Sequence, residues 1–143
     1  MIYYLIASIL IAVTALFART KRAVLAAGIL FYAVQIAAAG LLLWGGLYDT
    51  TSAAFFTFDA LGTLFYLLLV VVSMYVFGHS EAYLQGEDLR SYRLYFALLM
   101  LLTTAIAGAY FANNLAVTWI FLEATTLCSA GIIYHRHTAQ ALE

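Results

Sequence analysis

The sequence predicts an all-α membrane protein with five transmembrane helices, its N-terminus outside and its C-terminus cytoplasmic. Three observations predict it. Of the 143 residues, 66% are apolar and 9% charged, whereas ordinary soluble domains carry ~25% charged residues. Five apolar segments recur, each near the ~20 residues that a helix needs to cross ~30 Å of hydrocarbon. All six basic residues fall on one side of the resulting layout, and Lys and Arg accumulate in cytoplasmic loops.

The first segment, residues 2–18, has no basic residue before its apolar run and the cluster RTKR after it. A cleavable secretory signal has the reverse order, so this reads as a retained span. Residues 23–47 form the second, rich in small residues such as Ala33, Ala37 and Gly40 that let helices approach closely. Trp44 and Tyr48 near its end, with Tyr110, fit an aromatic belt at the outer face.

The third segment, residues 55–78, holds Asp59 in its first turns, where a helix N-terminus favours a carboxylate. The polar stretch HSEAYLQGEDLRSYR follows, then the fourth segment at residues 94–112 and the fifth at residues 115–134. Loops this short make consecutive spans antiparallel neighbours. Barrel strands would be about half as long and would alternate in polarity. With no proline, no span is kinked by a missing backbone donor. We find no internal repeat and no linker, so residues 1–143 form a single membrane domain, multi-pass in the cytoplasmic (inner) membrane.

Composition also excludes chemistry. A net charge of −1 gives no electrostatic support for nucleic acid, leaving lipid and other membrane proteins as partners. One cysteine, Cys128, excludes a disulfide framework and a cysteine-ligated cluster built by this chain alone. There is no nucleotide loop and no nucleophile with a base, so the chain performs no redox chemistry of its own, and no cofactor is expected in it.

One residue stands apart. Glu123 lies nine residues beyond Asn114, ~13 Å along a helix, which is near the middle of a membrane. A charged carboxylate there costs ~2.5–3.5 kcal/mol on insertion scales and marks a functional site by default. Its own helix face carries Ala116, Trp119, Ile120, Thr126 and Leu127, while Thr118, Thr125 and Ser129 fall elsewhere. Desolvation favours the neutral acid unless a cation stands close. The single lysine, Lys21, is too shallow to reach midplane, so Glu123 is either neutral or paired with a cation from another chain. Either it loads and releases a proton, with Thr118, Thr125, Thr126, Ser129 and His135 as a water or proton path, or it is a protonated carboxyl bonding a neighbouring helix. His79, His135 and His137 lie at or beyond the cytoplasmic helix ends, which disqualifies them as haem ligands; they read as solvated interface histidines, with proton exchange at the surface as the alternative. Gln35 and Thr103-Thr104 read equally as path residues and as helix-to-helix hydrogen bonds.

The runs FFTFDALGTLF, YLQGEDLRSYRLYF and YFANNLAVTWIFLEATTLCSAGIIYHRHTAQALE resemble the antiporter-like membrane subunits of complex I, Mrp antiporters and energy-converting membrane-bound hydrogenases. The stretch LEATTLCSAGIIYHR is most similar to component F of hydrogenase-4. The resemblance covers residues 55–143; the first two spans match only in number and hydropathy. It implies that Glu123 stands at the position of a fifth-helix glutamate essential to proton translocation. It further implies coupling to a peripheral redox arm, of the complex I or group 4 hydrogenase type, whose partner subunits contain iron–sulfur and nickel–iron or flavin centres. Family members continue beyond the fifth span, and the lysines of their channel lie in those later helices. The chain therefore reads as the N-terminal part of a larger or split subunit, with another membrane-arm chain supplying the remaining helices and lysines. A structural subunit of the same assembly that no longer pumps is the alternative reading.

Overall fold

A computed structural model describes residues 1–45, 55–84 and 86–134. The described residues form five α-helices and no strand: α1 (Ile2–Leu16), α2 (Lys21–Leu43), α3 (Ala60–Tyr83), α4 (Leu89–Phe111) and α5 (Leu115–Tyr134). Helices α2 to α5 are each long and apolar enough to cross a membrane, the signature of a multi-pass membrane protein. The 15 residues of α1 span only ~22 Å at 1.5 Å per residue.

Helix ends depart from the apolar segments where capping chemistry overrides hydropathy. Helix α2 starts at Lys21 because the Thr20 hydroxyl accepts from Ala23 N at 3.2 Å. It stops at Leu43 because Gly45, at φ 73°, takes the left-handed conformation in which glycine commonly ends a helix. There Trp44 N donates to Gly40 O at 3.0 Å and Gly45 N to Leu42 O at 3.2 Å.

The largest correction concerns α3. Residues 55–59 are not its first turns: Phe56 forms an isolated antiparallel bridge with Ala112. Two hydrogen bonds hold it, Thr57 N to Phe111 O and Asn113 N to Phe55 O, both 2.8 Å. Asp59 is accordingly the N-cap, in extended backbone, and its Oδ1 accepts from Gly62 N at 3.0 Å. At the other end α3 runs on to Tyr83 and α4 begins at Leu89. Residues 79–83 and 89–93, expected in a loop, are thus helical, and Arg90 and Arg93 sit in the opening turns of α4.

Each sequential pair of helices is in contact, and α4 also touches α1 and α2. That central position explains why α4 is buried over most of its circumference, with Ala97, Ala105, Ala107 and Gly108 keeping its neighbours close. Helix α1 offers it the small stripe Ser8, Ala12 and Ala15. Two core clusters stack along the bundle. One joins Phe31, Phe77, Tyr92 and Phe96; the other joins Met1, Phe56, Tyr66 and Phe111. The basic residues Arg19, Lys21, Arg22, Arg90 and Arg93 all belong to the first end. Asp59, Asn113 and Asn114 mark the second, which has no basic side chain among the described residues. Tyr48, Asp49, His135, Arg136 and His137 lie outside the described residues.

Candidate functional site

Helix α5 begins where Asn114 caps it: Asn114 Oδ1 accepts from Ala116 N and its backbone oxygen from Thr118 N, each at 2.9 Å. Glu123 is the ninth of its twenty residues, about midway along the helix. The side of α5 that meets α4 is the stripe Val117, Phe121, Ala124, Thr125, Cys128 and Ile132, all half-buried. Phe121 lies directly against Gly108, and Leu98 packs so close to Gly131 that a Cβ there would stand 2.9 Å from its methyl carbon.

Glu123 is on the other side. It is exposed, as are Ala116, Trp119, Ile120, Thr126 and Leu127 on the same face. Glu123 is deep along the helix axis yet points away from the bundle, so the described residues do not themselves bury the carboxyl. The reason is steric, because α5 turns its small and aromatic residues to α4, which leaves this face outward. Among the described residues no side chain forms an ion pair or hydrogen bond with the Glu123 carboxylate. Lys21 is occupied at the basic end, where its Nζ donates to Glu87 O at 2.6 Å and lies 5.4 Å from the centre of the Tyr92 ring.

The hydroxyls proposed as a path are turned to their own helix. Thr118 donates to Asn114 O at 3.1 Å, Thr125 to Leu122 O at 2.7 Å, Thr126 to Glu123 O at 2.8 Å and Ser129 to Thr125 O at 2.8 Å. Of these, only Thr126 shares the Glu123 face; Thr118, Thr125 and Ser129 are half-buried toward α4. Each oxygen keeps a lone pair for water, but the fold does not gather the four around the carboxylate. His135 lies outside the described residues. His79 is exposed and stacks on Tyr75. Thr103 and Thr104 donate to Leu99 O and Met100 O, serving α4 alone.

A second polar cluster was only partly legible. Gln35 is fully buried, and its Oε1 accepts from Tyr4 Oη at 2.6 Å and Tyr66 Oη at 2.8 Å. This ties α1, α2 and α3 together in the half of the bundle away from the basic residues. Gln35 stood out as a polar residue in an apolar run; Tyr4 and Tyr66 did not, because tyrosines are common throughout the chain. Nearby, Asp59 and Thr63 line an open cavity of ≈ 400 Å³ walled by Leu42, Leu43, Phe58 and Leu67. Among the described residues no group of three or more His, Cys, Asp or Glu side chains is placed to hold a metal ion.

In comparisons with known proteins, no family model, no curated protein and no solved structure matches this chain.

Proposed function

We propose that this chain is a membrane-arm subunit that takes part in proton (or sodium) translocation coupled to electron transfer. The assembly would be complex I-like or a group 4 membrane-bound hydrogenase, with Glu123 as the proton-loading carboxyl. The observation that carries the reading is the placement of Glu123: midway along α5, on the outer face, with no partner among the described residues. Left in hydrocarbon, a carboxylate so placed is costly. A second chain laid against α5 makes it a buried group, and a cation on that chain then sets whether the proton stays or leaves. The resemblance noted above supports the same role and supplies the class of assembly. The basic end, with Lys21, Arg90 and Arg93, is the cytoplasmic one by the positive-inside rule.

The test is purification of the intact membrane complex in mild detergent, identification of its chains, and a pumping assay on Glu123→Gln. The expected result is co-purification with redox subunits and a multi-span chain bearing intramembrane lysines, with assembly kept and ion movement lost in the variant. Full coupling in Glu123→Gln would leave this chain a structural subunit, and recovery of the chain alone would sink the assembly reading.

A further inference from the structure

At the basic end, the first turn of α2, the last turns of α3 and the start of α4 surround an open cavity of ≈ 130 Å³. Lys21, Arg22 and Leu25 of α2, Glu81 of α3 and Tyr92 of α4 line it. Both signs of charge are therefore present. Among the described residues neither the Arg22 guanidinium nor the Glu81 carboxylate forms an ion pair or a side-chain hydrogen bond. Lys21 gives one N–H to Glu87 O, and an ammonium has three. Tyr92 is only 3% exposed, yet its hydroxyl makes no hydrogen bond among the described residues, and its oxygen is not sealed in. Buried hydroxyls are nearly always bonded, so this one calls for a partner inside the cavity that it lines.

The cavity is polarised from one side to the other. Helix α2 starts there, and the free amides of a first turn favour an anion, as Lys21 and Arg22 also do. Helix α3 ends there, and its last carbonyls favour a cation beside Glu81. Depth then selects the kind of molecule. Helices α2, α3 and α4 have 23, 24 and 23 residues, or ~35 Å each, against ~30 Å of hydrocarbon. Their ends thus reach the headgroup layer. Below the charges the wall turns apolar at Leu25, and exposed Ala26 and Ile29 continue the outer face of α2 deeper into the membrane. A free ion in water has no use for such a wall, whereas a phospholipid uses both parts.

We propose that this cavity binds the headgroup of a phospholipid bearing a primary amine, phosphatidylethanolamine. Its phosphate lies against Lys21 and Arg22 and accepts from the Tyr92 hydroxyl. Its ammonium donates to the Glu81 carboxylate, and its chains start down past Leu25. None of these residues is on α5, so the site does not depend on the role assigned to Glu123.

Native mass spectrometry of the full chain, released from nanodiscs of equal parts phosphatidylethanolamine, phosphatidylcholine and phosphatidylglycerol, tests it. Phosphatidylcholine has the same charges but no N–H for Glu81, and phosphatidylglycerol has the phosphate without the amine. The expected result is one retained phosphatidylethanolamine, several-fold above its share of the mixture. Retention should fall to that share in Glu81→Gln and in Arg22→Gln, and part of the way in Tyr92→Phe, which keeps the ring beneath Lys21. The first two variants remove no hydrogen bond of the fold, and an unchanged unfolding midpoint in detergent checks that they fold. Phosphatidylethanolamine held at its bulk share by the unaltered chain would overturn the proposal. So would phosphatidylglycerol retained equally well, which leaves an anion site without use of Glu81, or undiminished retention in the folded Glu81→Gln variant. Displacement of the lipid by free phosphoethanolamine at millimolar concentration would assign the site to a soluble ligand and overturn the lipid as occupant.

Discussion

The ring of Phe121 of α5 occupies the space that a side chain on Gly108 of α4 would fill, so that even one methyl there would overlap it. Together with the close fit of Leu98 against Gly131, this contact sets how α5 is rotated on the bundle, and so where Glu123 points.

Gly108→Ala is expected to destabilise the α4–α5 pair. Overpacking a tight contact typically costs ~1–3 kcal/mol, read as a lower midpoint of thermal unfolding in detergent. Gly40→Ala is the matched control: nothing lies within 4 Å of a Cβ at that position, and alanine gains about 0.5–1 kcal/mol over glycine inside a helix. A midpoint lower in Gly40→Ala than in Gly108→Ala would contradict the packing described.

Asp59→Ala removes the N-cap of α3 and is expected to cost ~0.5–2 kcal/mol. Asp59→Asn keeps an acceptor for Gly62 N and should lose only a small part of that. Hydrogen exchange at the Gly62 and Thr63 amides separates the two variants. Protection lost equally in both would mean that the charge, rather than the hydrogen bond, holds the helix start.

Lys21 joins α2 to the α3–α4 turn through Glu87 O and the Tyr92 ring. Lys21→Met keeps the apolar stem and removes the ammonium, with an expected loss of about 1 kcal/mol. Faster exchange at the Leu84 and Glu87 amides is the local sign. Lys21→Arg should restore part of the protection.

Glu123→Leu separates folding from assembly. Because the carboxylate makes no ion pair or hydrogen bond among the described residues, the variant in detergent should unfold at the same or a higher temperature. If the proposed function holds, recovery of partner chains with the variant should also fall, since a cation facing position 123 would then be buried unpaired. A clear loss of stability in the isolated chain would show that Glu123 is used inside the bundle.

Membrane class, helix count and the segregation of basic residues were legible because each depends on composition summed over long stretches. The fifth apolar segment shows how far that goes: its bounds and those of α5 are the same. The start of α3 was not legible, because FFTF is as apolar as any span. Only the backbone bridge to Ala112 and the Asp59 cap show that the helix begins later. Spacing placed Thr118, Thr125 and Ser129 off the Glu123 face, but it did not reveal that these hydroxyls, with that of Thr126, bond back to the preceding turn of their own helix.

By itself, then, the sequence determined that a carboxyl would sit midway along an apolar helix, because 1.5 Å per residue and one long hydrophobic run leave no other depth for Glu123. Which way it points was decided only in three dimensions. Helix α5 is apolar on nearly every side, so its own residues do not specify a buried face. The hollow left by Gly108 and the close fit of Leu98 against Gly131 select one, and that choice turns Glu123 outward.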